Sequence, residues 1–411
     1  MALGKASQSR TATERAAVFT AWYRTTPELK SRAQQLAALE VQFPVAETSV
    51  LSLTERKPDH HRLTHLLDRG VWDRPKHTVT PHVPAVLHSL NVAKPDRLDF
   101  ARWLVDRRSP LAARVQVNRV WQAIFGLGLV ETPEDFGTRA PQPEYLDVLD
   151  WLAVDFMENG WSTKHLIRTI LSSRTYQRSS RATVELLKID PRNQLLARGP
   201  RFRADAEVVR DIALTASGLL SRDIGGPSII PPMPKSVLDY NYTRPGYWTP
   251  ASPPQRYRRA LYVFRRRSMP DPMLSSFDAP NADFACARRL RSNTPLASLA
   301  TLNEPIFVEA ARALALRVLR EGGPSDVERA DYAFRLCTGR HATPAERAAL
   351  VAFLNEQRVR LSEGWLSINA VATGDSDTRP ALPPDSTPRD AAAWTIAARV
   401  MLNLDETLTK N

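Results

Sequence analysis

Eleven of the 32 prolines fall between Pro227 and Pro280. Proline has no backbone N–H and its ring clashes with the preceding helical turn, so this window cannot be regular helix. The sequence on either side is patterned as helix, so the chain must fold as two helical blocks around an irregular one. Inside the window only Ala260-Leu-Tyr-Val-Phe264, flanked by arginines, is apolar enough for a short buried strand. The expected class is therefore mainly α: a helical bundle or array with a Pro-rich irregular segment containing one short β element.

Helix signals place five regions. Residues 1–40 form an N-terminal helical segment that breaks near Thr26-Pro27, and residues 41–95 an extended arm holding six of the eight histidines and laid over a neighbouring unit. Residues 96–226 form a helical block. In it Asp96 and Ser109-Pro110 are N-terminal signals, Gly126 and Gly128 a stop, Pro143 to Gly160 a helix, and Ser162 or Thr163 the next cap. A longer helix runs from about Ala204 to Leu220. The Pro- and Arg-rich segment spans residues 227–290. Residues 291–411 form the second block, with helices from Thr294, Ser325, Thr343 and Arg389 and a polar linker from Thr373 to Pro388. Trp103, Trp121, Trp151 and Trp161 fall on apolar helical faces or at helix boundaries and are read as core.

Composition excludes several classes. With 43% apolar and 24% charged residues the chain is globular. Two cysteines, Cys286 and Cys337, with no CxxC pair, make neither a thiolate zinc cluster nor a c-type haem attachment. The longest run free of Asp, Glu, Lys and Arg, His77 to Ala93, carries three histidines and two prolines and is no transmembrane helix. The N-terminus has no apolar stretch long enough for an export signal, which taken literally leaves the chain in the cytoplasm. The net charge of +12 comes mostly from 47 arginines against 9 lysines, which fits both a polyanion ligand and a GC-rich genome.

GxxxxGK[ST], HExxH, GxSxG and a complete GxGxxG are all absent, so candidate sites rest on charge clusters. In the stretch Arg198 to Asp211, Arg201 and Arg203 could clamp an anion near a helix N-terminus with Glu207 as partner or base, and Arg210 and Asp278 complete the ligand-binding set. The same spacing, with Arg203 and Glu207 four apart and Glu207 and Arg210 three apart, equally describes an internal salt-bridge network. The second cluster, Arg256, Arg258, Arg259, Arg265, Arg266 and Arg267, is interleaved with Tyr257, Tyr262 and Phe264 in the manner of a polyanion-binding strip. Its bland alternative is a strand whose arginines neutralise acids elsewhere. Asp59-His60-His61 with His65 lacks an identifiable supporting acid, so no metal site is assigned.

Several strings stand together, among them RLDFARWLVDRRSPLAARVQVNRVWQAIFGLGLVETPEDFG, RGPRFRADAEVVRD, SGLLSRDIGGPS, FDAPNADFACARRLRSNTPL and VMLNLDET. From about Leu53 onward the chain resembles the planctomycete-type proteins that carry domain of unknown function 1553. The resemblance implies large exported multi-domain proteins, often with a cytochrome c module, and so a periplasmic or cell-envelope setting and a cytochrome c-domain partner; it carries no assigned catalytic residues. Without CxxCH the chain itself would bind no cofactor, and haem is implied only on a partner or on an N-terminal domain lost by gene splitting or truncation. The functional expectation is a non-catalytic binding or scaffold module. The alternatives are an enzyme acting on an anionic, sulfated polysaccharide and a polyanion-binding role for residues 256–267, with nucleic acid the lesser ligand.

Overall fold

The structure is a computed structural model that describes residues 4, 6–42, 51–233, 235–240, 248–364, 366–374, 381–384 and 386–410. Contacts divide the chain into Met1–Leu53 and Thr54–Asn411. The first unit is a helical hairpin. Helix α1 (Ala12–Thr25) starts in a capping box between Thr11 and Glu14, Pro27 breaks the run as the sequence requires, and α2 (Lys30–Gln42) returns. Neither helix has a buried residue; Phe19 sits against Trp22 and Tyr23 at ring distances of 5.6 and 5.7 Å.

The second unit begins with an antiparallel hairpin, β1 (Thr64–Leu67) and β2 (Pro75–Val79), inside the stretch read from sequence as an extended His- and Pro-bearing arm. Every β2 residue is exposed, so there is no alternation to betray it. Part of that arm, residues 43–50, lies outside the described residues, as do residues 375–380 and 385 of the Thr373–Pro388 linker.

Next come α3 (Arg97–Leu104), α4 (Ala112–Phe125), α5 (Leu146–Glu158), α6 (Thr163–Leu171) and α7 (Val184–Ile189). Asp96 and Ser162 cap α3 and α6 as their residue types predict. Two expected starts move: α4 begins after Leu111 rather than at Pro110, and α5 at Leu146 rather than Pro143, because turns precede both helices. Val117, Trp121, Leu149, Leu152, Phe156, Leu166 and Ile170 make one core from α4, α5 and α6. Trp151 does not join it; it stands 59% exposed on the outer face of α5, so the core reading fails there.

The larger core gathers α8 (Ala206–Ser217), α10 (Pro272–Ser276), α11 (Pro295–Asn303), α12 (Pro305–Glu321), α13 (Asp326–Thr338), α14 (Pro344–Ser362), α15 (Ile368–Thr373), α16 (Pro388–Leu402) and α17 (Asp405–Leu408); the short α9 is Lys235–Tyr240. Helix α12 lies at its centre against α8, α13 and α16. Helix α16 presents Ala391, Ala392, Ala393, Ala397 and Ala398, all nearly fully buried, and these short side chains let its neighbours approach closely. The expected single terminal helix breaks at Asn403 into α16 and α17. The last strand, β4 (Thr409–Lys410), pairs with β3 (Phe202–Arg203) just ahead of α8. Among the described residues no helix is long and apolar enough to cross a membrane.

Among the described residues the Pro-rich segment holds only two short α-helices, α9 and α10, and is otherwise irregular. The strand expected at Ala260–Phe264 is instead a 3-10 turn over Ala260–Tyr262, followed by one parallel bridge between Ile229 and Val263. Pro227, Pro231 and Pro232 deny the facing chain the donors a ladder would need. What fixes the segment is Arg210 of α8. It is almost fully buried and donates to the carbonyls of Arg258 and Arg256 at 2.7 and 2.6 Å.

Glu304 caps α12, accepting from the N–H groups of Ile306 and Phe307 at 2.8 and 3.3 Å. Burial, reinforced by the charge of Asp271, pushes its carboxyl up to about 7. The stability this group contributes is complete below the ordinary carboxylate range and is lost as pH rises through about 7. Unfolding free energy should fall by roughly 1–3 kcal/mol between about pH 5 and about pH 8. Glu304→Gln keeps an acceptor oxygen but cannot ionise, so urea titrations across that range should show a flatter slope than wild type. Equal slopes would remove Glu304 as the cause.

Candidate functional site

The two cores meet along a groove of 1520 Å³. Its floor begins where α4 ends. Gly126 there adopts φ +88°, and a Cβ on it would stand 2.8 Å from the Phe202 ring, so glycine both turns the chain and admits the ring. Two residues on, Gly128 packs against Asn118, whose buried amide holds the Val130 N–H and C=O at 2.9 and 3.1 Å.

One side of the groove is the loop after α7. Its Asp190 carboxylate, buried, accepts from the N–H groups of Gln194 and Leu195 at 2.8 and 2.7 Å. Arg198, also buried, donates to the carbonyls of Asp190 and Pro191, each at 2.9 Å. Each charge thus satisfies backbone groups the loop would otherwise leave bare. A Cβ on Gly199 would lie 2.3 Å from the Arg178 carbonyl, which admits only glycine at that strand-like crossing.

The other side is Arg288-Arg289-Leu290-Arg291, in which each guanidinium has its own carboxylate partner. Arg288 pairs with Glu134 at 3.0 Å. Arg289 pairs with Glu207 in the first turn of α8 at 2.6 Å. Arg291 pairs with Asp205, the residue ahead of α8, at 3.0 Å, donates to the Gly126 carbonyl at 3.2 Å, and lies 4.5 Å over the Phe202 ring. Lys410 completes the junction by donating to the Ile124 carbonyl at 2.8 Å.

Eight arginines line the groove against four carboxylates, Glu131, Glu144, Asp190 and Glu406. They differ in how far they are occupied. Arg340 is held by both Glu346 and Glu406 at 2.7 and 2.6 Å, hydrogen bonds that raise its already high pKa. Arg192 is paired with Glu131. Arg201 has only a 3.6 Å contact with Asp405, with both side chains more than half exposed. Arg181 is exposed and has no ion-pair partner among the described residues.

The ligand-binding set read from the sequence is thus divided. Arg201 is on the groove; Arg203, Glu207, Arg210 and Asp278 are not among its lining residues. Arg203 donates to Asn293 at 2.5 Å and lies 5.4 Å over the Phe277 ring, while Asp278 accepts from the Ser292 N–H and hydroxyl at 2.6 and 2.7 Å. Glu207 pairs with Arg265 and Arg289 rather than with its helical neighbours. Burial alone would raise its carboxyl, but the Arg289 hydrogen bond and the two cationic charges prevail and hold it below the ordinary range.

Of the six arginines of residues 256–267 only Arg258 is buried, while Arg259, Arg265 and Arg267 are exposed, yet most are engaged by other side chains or carbonyls. Arg256 binds Glu309 at 2.5 Å and the Ala251 carbonyl at 3.0 Å. Arg258 is buried, stacks 3.8 Å over Tyr262 and donates to the carbonyls of Pro227 and Gly225. Arg259 approaches Asp211 at 3.5 Å, Arg265 pairs with Glu207, and Arg266 donates to Ser268 at 3.0 Å. Arg267 is exposed, without an ion-pair partner among the described residues. Sequence reading missed Arg288, Arg289 and Arg291; the RRLR string itself was the available signal. Among the described residues no three His, Cys, Asp or Glu side chains gather to hold a metal ion.

Replacing Arg291 by alanine leaves Asp205 and the Gly126 carbonyl without their donor, and should lower unfolding free energy by about 2 kcal/mol. Arg291→Lys should recover only part of this, because one ammonium cannot serve both acceptors and stack. Chemical denaturation decides it; a silent alanine variant would mean the two cores hold together without this tie.

A model of the family described as protein of unknown function DUF1553 (PSD1) matches residues 96–354, well over half of the chain. No curated protein and no solved structure matches. The matched span holds both sides of the groove and the RRLR segment, leaving Glu406 and Lys410 beyond it. The chain belongs to the DUF1553 family.

Proposed function

We propose that the chain is a binding module rather than a catalyst, and that its groove holds an anionic ligand. The observation that carries this reading is that Arg181 and Arg201 border the groove exposed and little engaged, whereas its other arginines are bonded to carboxylates or backbone carbonyls. Glu207, which an enzyme acting on a sulfated polysaccharide would use as acid or base, is instead in ion pairs with Arg265 and Arg289. The expected setting follows the family's usual company: a cell-envelope compartment and a cytochrome c-domain partner, with haem on that partner.

Retention on immobilised heparin, used as a generic polyanion, tests the groove. Wild type should be retained with a steep salt dependence, and the Arg181→Ala/Arg201→Ala double variant should elute at lower salt, its salt slope reduced by roughly one for each guanidinium removed. Both positions are exposed, so the fold should be undisturbed. An Arg265→Ala/Arg266→Ala/Arg267→Ala variant is the comparison: if it loses retention while the groove variant keeps it, residues 256–267 carry polyanion binding and the groove does not.

A further inference from the structure

The arginines are only half of the groove's surface. Leu187 and Ile189 at the end of α7, Leu195 in the loop that follows and Leu290 between the paired arginines all line it and are 48%, 74%, 52% and 74% exposed. An isolated exposed leucine means little, but four branched aliphatics on one concave basic surface form a patch of the sort that marks a protein contact. Of the aromatic rings that line the groove only Tyr145 is partly exposed and uncovered, a single platform against four aliphatics. Trp121 and Phe125 are more than nine-tenths buried, and the Phe202 ring lies under Arg291 with Lys410 5.5 Å away.

This combination separates the classes of polyanion. A sulfated sugar surrounds itself with hydroxyl and sulfate groups, which cannot cover branched aliphatics without losing water. A single-stranded nucleic acid needs a succession of rings on which its bases stack, and the groove has Tyr145 alone to offer. An acidic polypeptide supplies both complements, with carboxylates for Arg181 and Arg201 and leucine-like side chains for Ile189 and Leu290. The volume, 1520 Å³, exceeds that of an ordinary small-molecule pocket and suits a length of chain. Arginine beside apolar residues, with lysine scarce, is also the composition of protein–protein interfaces.

We infer that the groove is the docking site for an acidic polypeptide segment of a partner protein, one that carries aliphatic or aromatic side chains between its carboxylates. The inference rests on the anionic-ligand reading above and sharpens it to one ligand class. Selection of random peptides displayed on phage against the full chain, at physiological salt, tests it. The enriched sequences should combine Asp and Glu with Leu, Ile or Phe. Their binding should fall at least tenfold in Ile189→Ser/Leu290→Ser, substitutions at exposed positions that leave the charge unchanged, while heparin retention of that variant matches wild type. Enrichment of acidic sequences without apolar residues, no enrichment, or unchanged peptide affinity in the serine variant each overturns the peptide inference. In all three cases the anionic-ligand reading survives if Arg181→Ala/Arg201→Ala still weakens heparin retention, and falls with it if not. A sulfated oligosaccharide or single-stranded DNA that binds more tightly than the selected peptides assigns the groove to that ligand instead.

Discussion

The guanidinium of Arg291 joins two helix ends of opposite polarity, and the groove depends on it. Gly126 closes α4 and its carbonyl is one of the unsatisfied acceptors at a negative helix end, while Asp205 stands at the positive start of α8. Asp205 makes no capping hydrogen bond with its side chain; it faces Arg291 instead. One cation between two acceptors, lying on the Phe202 ring, therefore fixes the separation of the two cores. Arg289 on Glu207 and Arg288 on Glu134 repeat the tie on either side. The three arginines lie within four residues of one another, and their carboxylates are Glu134 in the loop after α4 and Asp205 and Glu207 at the start of α8.

A second theme explains why the irregular segment is so rich in arginine. Proline removes a donor and leaves its carbonyl, so a Pro-rich coil buried against a core carries more acceptors than donors. Arginine supplies up to five N–H groups. Arg258 serves the carbonyls of Pro227 and Gly225, Arg210 those of Arg256 and Arg258, and Arg256 that of Ala251. Burial lowers the pKa of Arg210, yet four carboxylates, Asp211, Glu304, Asp271 and Glu309, lie near enough to favour its charge. Part of the positive excess is thus the donor supply of a segment short of N–H groups.

The parts of the fold legible in the sequence are those set by neighbours a few residues apart. Caps at Asp96, Ser162, Ser325 and Thr343, the break at Pro27 and the restriction of helix between Pro227 and Pro280 to the short α9 and α10 all follow from local chemistry. The hairpin of β1 and β2 was not legible because exposed strands show no alternation. The groove was hidden for another reason: Arg289 and Arg291 meet Glu207, Asp205 and Gly126 across 82, 86 and 165 residues, and nothing in a local window marks such a pairing. In residues 256–267 arginine density is the same whether the side chains point to solvent, as Arg267 does, or to buried carbonyls, as Arg258 does. Of the candidate site only Arg201 was found from sequence, and it was found for its place near a helix start, not for the groove it borders.

The loop from Asp190 to Arg198 has a further consequence. The charges at its two ends, Asp190 and Arg198, are already bonded to backbone within the loop, so its shape is set before anything enters the groove. A surface built this way gives up little conformational entropy on association and selects by fit to a fixed outline. It favours discrimination among similar partners over accommodation of many, and places the adaptability of any complex in the incoming molecule.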